Sequence, residues 1–159
     1  MNARTCLTLT ALSGFLSVLL GAFGAHGLKD SGYLERKYAA EPAKSIAGHS
    51  VPAAYKYLAD FETGVQYHMT HTLALGLCGI LLRERRSVAT SIAAWNFLFG
   101  TILFSGSLYV LVIGGPRWLG IPWGMVAPIG GTLLLIGWLS LTVGCVSIAQ
   151  MNANTESAT

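Results

Sequence analysis

Four long stretches of the chain contain no charged side chain, and each is long enough to cross a membrane. They cover residues 5–28, 63–82, 87–116 and 118–155. An α-helix needs about 20 apolar residues to cross roughly 30 Å of hydrocarbon. The stretches lack the alternation of period two that is typical of a membrane β-barrel. We therefore predict an all-α fold, an integral membrane four-helix bundle with short turns and one long first loop, in a single domain over 1–159. The predicted helices cover 5–27, 63–82, 89–113 and 126–149.

The composition supports a membrane location. Hydrophobic residues make up 53% of the chain and charged residues 11%, whereas a soluble domain has about 25% charged residues. Ten of the 17 charges lie within the first loop, 28–62, as five bases and five acids. This balance argues against a nucleic-acid partner. We expect this loop to be partly interfacial, with a helix at 52–61 that runs into the second predicted helix and has an apolar stripe formed by Tyr55, Leu58 and Phe61.

Small residues recur at helical spacing in each predicted helix, as close packing in lipid requires. The first helix shows this pattern at Thr10, Gly14, Ser17, Gly21 and Gly24. The same segment resembles a cleaved signal peptide, with an early arginine and small residues near its end. Its apolar run is longer than a signal core, so we expect it to remain as a helix. The three cysteines have no metal-type spacing and are expected to be packing residues.

Arginines near the helix ends indicate the topology. Arg83, Arg85 and Arg86 lie in the short turn between the second and third helices, and Arg4 lies on the same side. Counted over all loops, Lys and Arg favour the opposite side by 6 to 4. Short loops close to helix ends are the better guide, so we predict that both termini are cytoplasmic.

Polar side chains at membrane depth are costly and are the first place to look for function. The candidates share the half of the bundle nearest the first loop. They are His26, Gln66, Tyr67, His68, His71, Ser105, Ser107 and Tyr109. Three interpretations remain open: hydrogen bonds that fix the packing, a metal or ligand site using imidazoles, and a proton or small-solute path.

No other motif carries chemistry. The chain has no phosphate loop, dinucleotide fingerprint, nucleophile elbow or HExxH motif. All seven acidic residues lie outside the four predicted spans, which argues against catalysis by paired carboxylates. We therefore expect no enzymatic activity, no catalytic residue, no cofactor and no bound metal.

Four ordered motifs resemble the bacterial inner-membrane family of unknown function number 423, the YgdD-like proteins, which is similar to animal transmembrane protein 256. The motifs are LGAFGAHGL at 20–28, VQYHM at 65–69 with His71, FSGSLY at 104–109, and APIGG at 127–131 with Gly137-Trp138. The resemblance implies a small four-helix inner-membrane protein with no established activity, and it places the candidate polar residues within the family's own motifs. The first loop looks longer than is usual for the family, and Phe61 stands where tryptophan is expected. The extra residues, about 33–55, could form a contact surface.

These observations favour a small inner-membrane protein that acts as a structural or accessory component. Its expected partners are membrane lipid and either another membrane protein or a second copy of the chain. The alternative is a binding or transport module for a proton, metal or small solute that uses His26, His68 and His71.

Overall fold

The computed structural model describes the backbone of residues 1–156 and the side chains of residues 1–150. The end of the predicted domain, 157–159, lies outside the described residues. The chain is predominantly helical, as predicted. The helices are α1 (Ala3–Ala22), continued by a π-helical segment (Phe23–Lys29), α2 (Tyr33–Lys37), α3 (Ala53–Glu84), α4 (Val88–Ile113) and α5 (Val126–Glu156). The strands are β1 (Lys44–Ile46) and β2 (His49–Val51), and two 3₁₀ turns cover Trp118–Gly120 and Trp123–Met125.

Three helical segments of the described chain are long and apolar enough to cross a membrane. They are Ala3–Lys29, Val88–Ile113 and Trp123–Gln150. The fourth long helix, α3, is not among them. Its middle turns contain Gln66, His68 and His71, which lower its mean hydropathy.

The predicted second helix, 63–82, lies within a longer helix, because α3 begins at Ala53. Pro52 precedes it with an extended backbone (φ −55°, ψ 143°), and no proline or glycine interrupts the helix before Gly64. The predicted boundary was placed after the last charged residue of the first loop. The charged residues before that boundary lie on the first turns of α3, which precede the apolar stretch.

The first loop is more ordered than the prediction allowed. It contains α2 and an antiparallel hairpin in which Lys44 pairs with Val51. The helix expected at 52–61 is present as the first turns of α3. Its buried side chains are Ala53, Tyr57 and Phe61, at a spacing of four that keeps them on one face. Within the expected stripe, Phe61 is buried, whereas Tyr55 is 60% exposed.

The long helices pack in chain order, α1 on α3, α3 on α4 and α4 on α5. The contact between α4 and α5 is closest at Gly130, where a Cβ atom would lie 2.3 Å from the backbone nitrogen of Phe104. Further along α5, Gly144 lies against Thr90. These glycines therefore allow backbone-to-backbone approach, as expected for helices in lipid.

The segment between α1 and α3 covers the carboxyl end of α4. The Tyr38 hydroxyl donates to the carbonyl of Val112 at 2.8 Å, and the Lys37 ammonium donates to the carbonyl of Ile113. The last four carbonyls of a helix have no partner within the helix, and a cation there also complements the helix dipole. Burial raises the pKa of Tyr38 to about 12, so its hydroxyl remains a donor at neutral pH.

The amino terminus and the later part of α5 lie at the same end of the helix assembly. The hydroxyl of Ser91, near the start of α4, donates to the carbonyl of Met1 at 3.3 Å. The neighbouring Thr90 packs against Gly144 in the second half of α5. The amino terminus and the later part of α5 therefore both lie near the turn at 85–87.

Candidate functional site

His68 is buried at the junction of three helices. Its Nε2 lies 3.0 Å from the hydroxyl of Ser13 on α1, and its Nδ1 lies 3.2 Å from the hydroxyl of Tyr109 on α4. The Ser13 hydroxyl is also 2.6 Å from that of Thr72. A continuous hydrogen-bonded chain therefore runs from α1 through α3 to α4. Because hydroxyls both donate and accept, the imidazole can be satisfied in either neutral tautomer.

His71 is held by a second, separate set of partners. Its Nδ1 donates to the carbonyl of Tyr67 at 2.8 Å, because a carbonyl only accepts. Its Nε2 accepts from the indole N–H of Trp138 on α5 at 3.2 Å. Both ring nitrogens are satisfied only in the neutral Nδ1–H tautomer. A proton added at Nε2 would face the indole donor, so this arrangement opposes a charged His71.

His26 lies apart from the other two. Its side chain is 82% exposed and bonds to Asp30 at 3.1 Å. It belongs to the π-helical segment, where each turn is wider than in an α-helix. The three histidines each have their own partners, so the structure gives no support to a module that uses all three.

The other predicted site residues on α3 and α4 differ in their exposure and in their partners. Tyr67 stacks on Phe104 with ring centroids 4.5 Å apart, and Gln66 is exposed beside it. Ser107 is buried and donates to the carbonyl of Phe104 at 2.9 Å. Ser105 is buried, and its hydroxyl has no hydrogen-bond partner among the described residues.

Two cavities flank these groups. One, of about 340 Å³, lies between α1, α3 and α4 and is lined by Ser13, His68, Thr72, Ser105 and Tyr109 among many apolar side chains. The other, of about 670 Å³, is an open groove between α3 and α5 beside Tyr67 and Trp138. In the part of the chain with described side chains, no three histidine, cysteine or acidic residues lie close enough to hold a metal ion.

Sequence reasoning did not assign Ser13 and Trp138 as the partners of the two buried histidines. Ser13 is adjacent to Gly14, which faces Thr72, so the small-residue pattern of α1 contained a usable signal. Trp138 was noted only as part of a family motif, because a tryptophan near the middle of an apolar helix is equally compatible with a position facing lipid.

The comparisons with known proteins agree with the resemblance predicted from the motifs. Residues 20–131 match the family described as "Protein of unknown function (DUF423)". The chain is 42% identical to a UPF0382 membrane protein of Haemophilus influenzae over 139 residues, which cover 87% of the chain and 90% of the relative. It is 32% identical to the UPF0382 inner membrane protein YgdD of Escherichia coli K12 over 157 residues, 98% of the chain and 100% of the relative.

A third similar protein is the UPF0382 membrane protein YwdK of Bacillus subtilis. It is 34% identical over 144 residues, which cover 90% of the chain and 97% of the relative. No solved structure matches the chain. From the extent of these matches, the chain belongs to the DUF423 family of membrane proteins, whose activity is unknown.

Proposed function

We propose that the chain is a four-span protein of the inner membrane that acts as a non-enzymatic structural or accessory component. The observation that carries this proposal is the pairing of its deepest polar groups. His68 and His71 bond to side chains of neighbouring helices and to the backbone. Groups paired in this way fix the packing of the helices, and neither imidazole has a ring nitrogen without a partner.

The fourth span is supported by the position of α3. Three residues connect it to α4, so the two helices run antiparallel as neighbours. Near one end Gly64 lies against Tyr109, and near the other end Cys78 packs in the same cluster as Ala93. Because α4 is apolar and long enough to cross the membrane, a helix packed along it crosses at the same depth.

Both termini are assigned to the cytoplasm. Met1 lies next to the start of α4, close to the arginine turn that the positive-inside rule places in the cytoplasm. Fusion of a reporter that fluoresces only in the cytoplasm should give signal at residue 1 and at the chain end, and none in the 3₁₀ turns near 118–125. Signal only from the latter position would reverse the orientation.

The accessory role predicts an assembly larger than one chain. The protein extracted from its own membrane in a mild detergent should give, by native mass spectrometry, a complex of fixed stoichiometry with a second copy or another membrane protein. A lone monomer in several mild detergents would contradict the proposal.

A test on the histidines separates a packing role from a transport role. His68→Ala and His71→Ala should each lower resistance to unfolding in detergent. Variants that remain as stable as the wild type but abolish a proton or solute flux in vesicles would favour the transport alternative.

A further inference from the structure

The cavity of about 340 Å³ is formed by one face from each of three helices, and its size is within the range of small-ligand sites. Helix α1 contributes Leu9, Leu12, Leu16 and Leu20. Helix α4 contributes Thr101, Ser105 and Tyr109, which are four residues apart and share one face. The cavity therefore has an apolar wall opposite a row of hydroxyl groups.

The cavity opens between α1 and α4. Leu12 and Leu16 on α1 and Ile102 on α4 line it and are themselves exposed. Both helices are apolar and long enough to cross the membrane, so the exposed sides of these residues face lipid tails. A molecule dissolved in the bilayer can enter sideways without passing through water.

The hydroxyl oxygen of Ser105, on this wall, is buried and unpaired among the described residues. Only 1% of the residue is exposed. By contrast, Ser13, Thr72 and Tyr109 are bonded through His68 and to one another. An unpaired hydroxyl away from water is costly, and a ligand in the cavity would satisfy it.

We infer that this cavity binds a neutral lipid with a single hydrocarbon or prenyl chain and a hydroxyl or carbonyl head that bonds to Ser105. The leucines of α1 accommodate the chain. Ser105 can donate to a carbonyl or accept from a hydroxyl. This inference goes beyond the proposed accessory role and does not depend on a protein partner.

The depth of the cavity and the charge of its lining side chains favour a ligand with a neutral head group. Ser105 lies eight residues before the end of α4, which is about 12 Å along the helix axis. No lysine, arginine, aspartate or glutamate lines the cavity, and the nitrogens of His68 and His71 are already bonded. A phosphate or carboxylate head would lose its water here and gain no opposite charge.

The test uses the full chain in phosphatidylcholine nanodiscs and three photoreactive probes with the same diazirine-bearing chain. One probe is a long-chain alcohol, one is the alkane without a head, and one is the carboxylate. The alcohol should label residues 9–20 and 97–109 saturably, about 2- to 10-fold above the alkane, the range for one net hydrogen bond, and more strongly than the carboxylate. Equal labelling by the alcohol and the alkane would show that only hydrocarbon fills the cavity and would overturn the inference.

Competition identifies the source of the head group. Unlabelled monolaurin should displace the alcohol if the natural ligand is a monoacylglycerol, and decyl-benzoquinone should displace it if the ligand is a prenyl quinone. Displacement by either compound supports the inference, and displacement by neither contradicts it.

Two variants test the cavity itself. Ser105→Ala should weaken binding of the alcohol about 2- to 10-fold, the range for one net hydrogen bond, without lowering the stability of the ligand-free protein. Gly106→Leu should abolish labelling, because nothing lies within 4 Å of a Cβ at this position of the wall and the new side chain fills the space.

The matched control is Gly131→Leu. It adds the same side chain in the groove between α3 and α5, where a Cβ makes ordinary contact with Phe104 at 3.7 Å. Labelling by the alcohol should be unchanged. If Ser105→Ala binds the alcohol as tightly as the wild type, the head does not bond to Ser105 and the inference fails, whatever Gly106→Leu does.

Discussion

The contact between α4 and α5 predicts a large difference between two glycine substitutions. At Gly130 a Cβ atom would lie 2.3 Å from the nitrogen and 2.7 Å from the Cα of Phe104. Carbon atoms pack best at about 3.5–4.0 Å, and backbone atoms cannot rotate away. The substitution Gly130→Ala therefore requires the two helices to separate locally by about 1 Å, judged from that contact distance. At Gly106 a Cβ would have nothing within 4 Å.

The magnitudes follow from these distances. Overpacking of a well-packed contact costs about 1–3 kcal/mol. Replacing glycine by alanine within a helix gains up to about 1 kcal/mol. We expect Gly130→Ala to lower the free energy of unfolding by up to about 2 kcal/mol, and Gly106→Ala to raise it by up to about 1 kcal/mol, from the balance of these two effects.

The assay is reversible unfolding in mixed micelles with a rising fraction of sodium dodecyl sulfate, followed by circular dichroism. Gly131→Ala is the control on the same helix, since its Cβ would meet Phe104 at an ordinary 3.7 Å. It should resemble the wild type or be slightly more stable. If Gly130→Ala is as stable as Gly131→Ala, the backbones of α4 and α5 are not in direct contact and the packing described above is wrong.

Two further predictions concern single hydrogen bonds. Trp138→Phe should destabilise the chain in the same assay by about 1–3 kcal/mol, because it leaves the Nε2 of His71 buried without a donor. Adding His71→Phe should recover part of this loss of stability. If the effects of the two substitutions are strictly additive, the bond between these side chains is contradicted. Tyr38→Phe should cost about 1 kcal/mol through loss of the bond to the Val112 carbonyl. The pKa of Tyr38 is raised from 10 to about 12, so this contribution is complete below pH 10 and is lost as the pH rises towards 12, where the phenol ionises. The stability difference between the wild type and Tyr38→Phe should therefore shrink over that interval, and a constant difference would refute the assignment.

The helices could be predicted from the sequence because a stretch of about 20 apolar residues without charge is typical of a membrane-spanning helix. The same criterion failed where helix continues into charged sequence. Lys56 and Asp60 are four residues apart and form an ion pair on the first turns of α3, so they are compatible with helix. A rule based on charge alone therefore starts this helix at 63, although α3 begins at Ala53.

The candidate site could be predicted only in part, because depth follows from sequence position but rotation about the helix axis does not. Depth correctly brought Tyr109 to the level of His68, and the two side chains bond. Because of the rotation of α3, His71 bonds to Trp138 on α5 and not to the partners of His68. His26 lies on the π-helical segment and is exposed. The rotation of each helix about its axis is set by contacts with other helices, so the periodicity of the sequence does not predict it.

The placement of α3 follows from its polarity. It is less hydrophobic than the three helices that meet the criterion for spanning, yet twelve of its residues are buried. Helix α1 is more apolar and has only two buried side chains, Cys6 and Ser17. Lipid tolerates the exposed leucines of α1 but not unpaired imidazoles, so the helix that contains His68 and His71 must have neighbours on both sides. The helices α1, α4 and α5 supply the partners of those two histidines, and the chain therefore needs its most apolar helices around its least apolar one.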